Sequence, residues 1–155
     1  MNPIYMFTST EGRIARQTYW TGIVIITLVG VPTIVAAAFV AGGTGAAIAN
    51  LFFLWCGFAL SVKRAQDRNR HYLFVAAYFG LLALLTSVQA STKGGISDKM
   101  MDPSIAPRVL VGLLSVLFIG YVIFLFVELG CLRGTVGPNK YGPDPLPAAP
   151  AQAGA

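Results

Sequence analysis

The sequence predicts an all-α membrane protein with four transmembrane helices in two antiparallel hairpins. Three observations lead to this fold class. Of the 155 residues, 55% are hydrophobic and only 11% are charged, whereas soluble domains carry roughly 25% charged residues. The apolar residues form four runs, each near the length of about 20 residues that a helix needs to cross the hydrocarbon core. The net charge is +5, but the cationic residues cluster beside the apolar runs, which is typical of membrane proteins and not of nucleic-acid-binding ones.

The four apolar runs define the predicted spans, at about residues 19–41, 46–62, 72–89 and 109–129. We expect helices because backbone groups in lipid must be satisfied within the segment, and because the runs lack the alternating polarity of a membrane barrel. The first run is longer than the roughly 7 to 15 apolar residues of a signal peptide, so it is interpreted as a span. Pro32 lies near its middle and predicts a kink.

The connections complete the predicted hairpins and bound the domain. The sequence GGTG at residues 42–45 predicts a tight turn between the first two spans. Residues 91–107 are polar and contain glycine and proline, so they predict a loop. We expect one domain over residues 1–145. Residues 146–155 are rich in proline and alanine and predict a disordered tail.

The distribution of lysine and arginine predicts the orientation. Four spans place both termini and the loop between the second and third spans on one side, together with eight of the eleven cationic residues. By the positive-inside rule this side is cytoplasmic, so both termini are expected in the cytoplasm. The eight residues are Arg13, Arg16, Lys63, Arg64, Arg68, Arg70, Arg133 and Lys140, and the other three are Lys93, Lys99 and Arg108.

Catalytic and metal-binding patterns are missing from the sequence. Cys56 and Cys131 share no close spacing, and His71 is the only histidine, so neither a metal site nor a disulfide framework is expected. No nucleophile stands beside a base in the local sequence. We therefore expect no enzyme activity, no cofactor and no metal. The cysteines are interpreted as a packing residue and a reduced thiol.

Three polar stretches carry more information than hydropathy does, and all three are predicted to be cytoplasmic. The first is STEGRIARQTYW, residues 9–20. Thr8 and Glu11 fit a capping box, which predicts a short helix at the membrane interface. Arg13 and Arg16 would share one face of that helix.

The second and third stretches are predicted to meet the first in one polar cap. In VKRAQDRNRHY, continuation of the second helix past the membrane would bring Lys63 and Arg64 within reach of Asp67. His71 is interpreted as an interfacial residue. The third stretch, RGTVGPNKYGPDP at residues 133–145, is dense in turn-forming glycine and proline and is expected to fold back on the other two.

The segments EGRIARQTYW, KRAQDRNR and GTVGPNKYGPDP together resemble the bacterial inner-membrane family called domain of unknown function 805. That family has a GRxxRxxYW-like start, an R-x-H-D-x-G-R-like loop and a GxxGxNxYGxDP-like end. This chain departs from the pattern at Gln66, where histidine is common, at Asn69, where glycine is usual, and at His71 and Tyr72, which replace small residues. The resemblance implies a location in the inner membrane and a fold, but no activity. The matching positions are Gly12, Arg13, Arg16, Tyr19, Trp20, Arg64, Asp67, Arg70, Gly134, Gly137, Asn139, Tyr141, Gly142, Asp144 and Pro145.

Binding at the cytoplasmic surface is the leading functional hypothesis. We expect the cap to bind anionic membrane lipid or a partner protein, as an accessory subunit or assembly factor, or to meet a second copy of the chain. The hypothetical binding cluster comprises Arg13, Arg16, Arg64, Asp67, Arg70, Asn139, Tyr141 and Asp144.

Glu128 is the ionisable residue predicted to lie within the membrane. Such residues are rare and often functional. We interpret Glu128 as a member of an ion pair with Arg13, Arg16 or Arg64. Together with Pro32 it also motivates an alternative function, that of a small oligomeric transporter or channel.

Overall fold

The computed structural model describes residues 2–93 and 105–146, with side chains for residues 2–85, 109 and 111–146. The described chain is all-α. Of the loop predicted at 91–107, residues 94–104 lie outside the described residues, and the prediction is wrong at both ends, where residues 91–93 belong to α3 and 105–107 to α4. The side chain of Arg108 and the predicted tail from residue 147 onward also lie outside the described residues. The helices are α1 (Pro3–Thr8), α2 (Arg16–Asp67), α3 (Leu73–Lys93) and α4 (Ile105–Leu125), and a π-helical segment (Phe126–Cys131) continues α4.

The amino-terminal helix α1 lies earlier in the sequence than the short helix we predicted. It begins with Pro3 at its first position, and the Asn2 side chain accepts a hydrogen bond of 3.0 Å from the backbone N–H of Ile4. Both residues favour the start of a helix. The predicted capping box at Thr8 is wrong, because Thr8 is the last residue of α1 and residues 9–15 form a non-helical connection. Arg13 lies in this connection and Arg16 begins α2, so the prediction that they share one face of a short helix is also wrong.

Helix α2 is 52 residues long and folds back on itself at Ala41 and Gly42. Gly42 has φ 61° and ψ −154°, a region of backbone conformation that is essentially restricted to glycine. The predicted turn therefore exists, but the helical hydrogen bonding resumes at once. The two predicted helices at 19–41 and 46–62 are the arms of one folded helix. Pro32, where we predicted a kink, lies inside the first arm. The residues of α2 with non-helical backbone angles are Ala41 and Gly42, so the sharp bend is there and not at Pro32.

Small residues let the two arms of α2 pack closely against each other. A Cβ atom on Gly22 would come within 2.7 Å of Leu60 Cδ1, and one on Gly30 within 3.0 Å of the Phe53 ring. Gly22 and Leu60 lie farther along the chain from the bend at Ala41 and Gly42 than Gly30 and Phe53 do, so the two arms run antiparallel. The second arm continues to Asp67, beyond the predicted span.

Aromatic contacts join the remaining helices. The rings of Tyr78 in α3 and Phe118 in α4 stack with centroids 5.4 Å apart, which pairs these helices as a second hairpin. Phe58 in the second arm of α2 meets Phe79 of α3 edge to face at 5.2 Å. The two hairpins thus share a small apolar core at the end where the polar connections lie, formed by Val62, Ala65, Val75, Leu125 and Leu129.

The outside of the helices is apolar. Phe39 is 87% exposed and Val40 is 88% exposed, whereas Lys63 and Arg64 are 0% and 1% exposed. By length and composition, α2 and residues 111–131 are apolar enough to cross a membrane, with mean hydropathy of 2.6 and 2.4. Together with the apolar exterior, these two helices indicate association with a membrane.

Candidate functional site

Asp67 stands at the centre of a polar cap, which we define as residues 9–16, 63–71 and 128–146. Its Oδ1 lies 3.0 Å from Arg13 Nη2, and its Oδ2 accepts a hydrogen bond from Arg64. All three side chains are almost fully buried. Removing one partner from such a buried ion pair costs about 3–5 kcal/mol, because it leaves a charge without compensation. The cap is therefore organised around one carboxylate and two guanidinium groups.

Arg13 connects this carboxylate to the carboxy-terminal turns. Its Nη1 donates to the carbonyls of Gly137 at 2.8 Å and Gly142 at 3.1 Å. Its Nη2 donates to the carbonyl of Thr135 at 2.7 Å. Both glycines have positive φ, 78° and 134°, and this backbone conformation, which other residues rarely adopt, lets the turn carbonyls converge on one guanidinium group.

Arg64 satisfies the end of the π-helical segment. Its Nε donates to the carbonyl of Leu129 at 2.8 Å, and its Nη2 donates to the carbonyl of Leu132 at 2.6 Å. The last carbonyls of a helix lack partners within the helix and carry partial negative charge, so a guanidinium group is well suited to bind them. The remaining two carbonyls of this run are bound by other side chains, Gly130 by Trp20 Nε1 at 3.0 Å and Cys131 by Arg16 Nη1 at 3.0 Å.

Asn139 and Thr135 fix the turns to the end of α2. The Asn139 side-chain amide donates to the carbonyl of Gln66 at 3.0 Å. The Thr135 N–H donates to the carbonyl of Asp67 at 2.9 Å, and the Thr135 hydroxyl also donates to it, at 2.8 Å. The carboxy-terminal segment thus binds the last carbonyls of α2. Among the described residues, the buried Gln66 Oε1 has no hydrogen-bond partner.

Asp144 holds the turns in their own shape. Its Oδ2 accepts from the N–H of Gly137 at 2.8 Å, and its Oδ1 accepts from the N–H of Leu146 at 3.0 Å. These two backbone donors, aided by the charges of Arg13 and Arg133, hold the pKa of the Asp144 carboxyl below its ordinary value. Asp144 is therefore a structural anion of the cap.

Glu128 has partners other than those we expected from the sequence. Its Oε1 accepts from Arg68 Nη2 at 3.1 Å and from Arg70 Nε at 3.2 Å. The predicted pairing with Arg13, Arg16 or Arg64 is wrong, because those guanidinium groups bind Asp67 or the end of the π-helical segment.

Lys63 also differs from its prediction. Its ammonium group donates to the carbonyls of Tyr5 and Met6, at 2.5 Å and 3.1 Å, and lies 4.4 Å from the centroid of the Tyr5 ring. It is directed away from Asp67 and binds the end of α1, so the predicted pair of Lys63 and Asp67 is wrong. No sequence pattern indicated this contact, because no helix was predicted at residues 3–8.

The structure thus brings together the side chains of six of the eight residues in the hypothetical binding cluster, and Tyr141 joins them only through its backbone N–H. The Arg70 side chain is 54% exposed and lies apart from them, where it binds Glu128. The Tyr141 backbone N–H donates to Asn139 Oδ1 at 2.9 Å, and the Tyr141 ring contacts Lys140. The six are Arg13, Arg16, Arg64, Asp67, Asn139 and Asp144.

An open cleft of about 400 Å³ lies beside these residues. Three arginines and two aspartates contribute to its walls, and two of the arginines, Arg16 and Arg133, are exposed. Within residues 2–93 and 105–146, the Arg16 side chain makes one hydrogen bond, to the carbonyl of Cys131. In the described part of the chain, the Arg133 guanidinium makes no hydrogen bond or ion pair. The lining residues are Ala15, Arg16, Gln17, Arg64, Asp67, Arg133, Gly134, Thr135, Val136, Asp144, Pro145 and Leu146.

The chain matches the family described as protein of unknown function (DUF805) over residues 7–143. The chain belongs to the DUF805 family. No curated protein and no solved structure matches it. In this DUF805 protein the segments that resemble the family's start, loop and end motifs meet at Asp67, which places the most distinctive residues of the chain in the polar cap. Within residues 2–93 and 105–146, no group of three or more potential metal ligands is present.

Proposed function

We propose that this DUF805 protein is a non-enzymatic, four-span protein of the bacterial inner membrane whose polar cap binds anionic phospholipid at the cytoplasmic surface. Both arms of α2, together with α3 and α4, would cross the membrane. The positive-inside rule supports cytoplasmic termini, since eight of the eleven cationic residues then lie on one side. The apolar exterior and the buried charges fit a chain whose helices face lipid.

The observation that carries the binding proposal is the cleft with two exposed arginines. Four of the eight cationic groups of the cap are paired with a carboxylate: Arg13 and Arg64 with Asp67, and Arg68 and Arg70 with Glu128. Lys63 binds the carbonyls of Tyr5 and Met6. Arg16 and Arg133 remain directed to a concave surface. Guanidinium groups bind phosphate oxygens in a bidentate manner, so two of them on one cleft favour a phosphate ligand.

The amino-terminal end of α2 adds to this preference. Ala15 occupies the N-cap position and offers no side-chain hydrogen bond to the first N–H groups of the helix. Ala15, Arg16 and Gln17 line the cleft. The positive end of the α2 dipole therefore faces the same space as the two arginines, which favours an anion there.

Lipid retention during purification tests the proposal. The protein is extracted in mild detergent, exchanged with phosphatidylglycerol or phosphatidylcholine, and analysed by native mass spectrometry. We expect preferential retention of phosphatidylglycerol, and a loss of about tenfold in that preference in the double variant Arg16→Gln/Arg133→Gln. Lys140→Gln is the matched control, because Lys140 is also an exposed cation but does not line the cleft.

Equal retention of the two lipids by the wild-type protein would overturn the proposal. A stoichiometric protein that co-purifies in place of anionic lipid would assign the cap to a partner protein instead. The alternative of a transporter or channel relied on Pro32 and Glu128. The structure offers it no added support, since the Glu128 carboxylate is bonded to two arginines.

A further inference from the structure

A second concave surface adjoins the cleft. It is an open groove of about 330 Å³ between α1 and the first arm of α2. Gln17 lines both the cleft and the groove, so the two surfaces meet at this residue. The groove is lined by Pro3, Met6, Phe7, Gln17, Thr18, Thr21 and Ile25.

The groove runs from the polar cap toward the apolar exterior. Gln17, Thr21 and Ile25 are spaced four residues apart and therefore follow one face of α2. Successive positions on this face descend by about 6 Å at 1.5 Å per residue. Ile25 is 41% exposed, and Met6 and Phe7 form the opposite wall. The surface thus changes from cationic to apolar along the direction in which a lipid molecule lies in a leaflet.

The α1 wall is held in place by contacts with the second arm of α2. Lys63 binds the carbonyl of Met6 at 3.1 Å, and Trp55 Nε1 donates to the carbonyl of Thr8 at 3.3 Å. Lys63 is completely buried by this arrangement. The groove therefore exists before a ligand arrives, and binding there requires little ordering of the chain.

We propose that the cleft and the groove form a single seat for one anionic glycerophospholipid. Its phosphate binds Arg16 and Arg133 in the cleft, and one acyl chain lies along Thr21 and Ile25 beneath α1. This inference rests on the proposed function and adds that the protein holds a whole lipid molecule by both of its ends. A soluble phosphate compound would satisfy the cleft but leave the groove empty.

The seat is tested by separating the two ends of the ligand. Native mass spectrometry compares dioleoyl phosphatidylglycerol with glycerol 3-phosphate, and compares the wild-type protein with Thr21→Trp, which fills the groove. We expect retention of the diacyl lipid to fall at least tenfold in Thr21→Trp, and glycerol 3-phosphate to bind at least tenfold more weakly than the lipid. Thr27→Trp is the matched control, because Thr27 is exposed on the same arm but does not line the groove.

Wild-type protein gives a second readout that does not depend on a variant folding correctly. Phosphatidylglycerol with a photoreactive diazirine in its acyl chain should cross-link to residues 2–8 and 17–25. Cross-links confined to other segments would overturn the seat, as would equal losses in Thr21→Trp and Thr27→Trp. If Thr21→Trp retains lipid while Arg16→Gln/Arg133→Gln loses it, the seat is wrong and the headgroup proposal stands. If the wild-type protein shows no preference for anionic lipid, both proposals fail.

Discussion

At the scale of single residues, the cap depends on side chains that bind several chain segments at once. Arg13 contacts Asp67 and three carbonyls of the carboxy-terminal turns. Arg64 contacts the same carboxylate and two carbonyls at the end of the π-helical segment. Each guanidinium group presents five donors in a fixed plane, so lysine could not replace either one. The buried charges are stable only as a set.

Asp67→Asn tests this interdependence. The substitution keeps the shape of the side chain but leaves Arg13 and Arg64 buried without a counter-charge, so we expect a loss of about 3–5 kcal/mol in the free energy of unfolding. Chemical denaturation in detergent micelles measures it. Arg70→Gln is the control, because Arg70 is 54% exposed and Glu128 keeps its ion pair with Arg68 in this variant. Equal effects of the two substitutions would contradict the central role of Asp67.

Asp144 predicts how the carboxy-terminal turns respond to acid. Its pKa is held below the ordinary value by the N–H groups of Leu146 and Gly137, so the folded state favours the ionised form. The stabilisation is therefore fully present above the ordinary pKa of about 3.9 and is lost as the pH falls through the lower pKa of the folded state. We expect wild type to be more stable than Asp144→Asn at pH 7, and the difference to shrink below about pH 4. Thermal unfolding of both proteins against pH measures this, and a pH-independent difference would contradict it.

At the scale of elements, the helix ends explain the cap better than the helix bodies do. Helix α2 ends at Asp67, where Thr135 and Asn139 bind its last carbonyls. The π-helical segment ends where Arg64, Trp20 and Arg16 bind four successive carbonyls. These two helix ends are thus completed by residues from distant parts of the sequence. The cap joins the two hairpins because each supplies the partners that the other lacks.

The bend in α2 at Ala41 and Gly42 leads to a separate prediction about stability. Gly42→Ala places a Cβ at φ 61° and ψ −154°, a strained backbone region that costs of order 1–3 kcal/mol for residues other than glycine. We expect a loss of stability of about that size. Gly43→Ala is the matched control, because Gly43 has no positive φ and a Cβ there meets open space. It should be neutral or slightly stabilising. Similar effects of both substitutions in thermal unfolding would mean that the fold of α2 does not depend on Gly42.

At the scale of the whole molecule, the sequence predicted patterns set by local composition and missed contacts set by tertiary structure. Hydropathy located the apolar helices, and the glycines at residues 42–45 marked the fold in α2. The spacing of Arg64 and Asp67 predicted their ion pair, because it follows from helix geometry alone. The partners of Glu128 are 58 and 60 residues away along the chain, and no local pattern could reveal them. Helix α1 is stabilised by Lys63 and Trp55, so it too depends on a distant element.

The proposed topology is tested by the side of the membrane from which each end of α2 is accessible. With Cys56 and Cys131 replaced by alanine, single cysteines are introduced as Lys140→Cys in the polar cap and Gly43→Cys at the fold of α2, both at exposed positions. A membrane-impermeant maleimide should label Gly43→Cys in intact spheroplasts and Lys140→Cys only in inverted vesicles. The reason is that an arm of α2 separates the two positions and that the cationic cap favours the cytoplasmic side. Labelling of both cysteines from the same side would mean that α2 does not cross the membrane, and the reverse pattern would place the cap outside. In the second case the cap would not face the cytoplasmic leaflet, and the proposal of lipid binding at the cytoplasmic surface would be wrong.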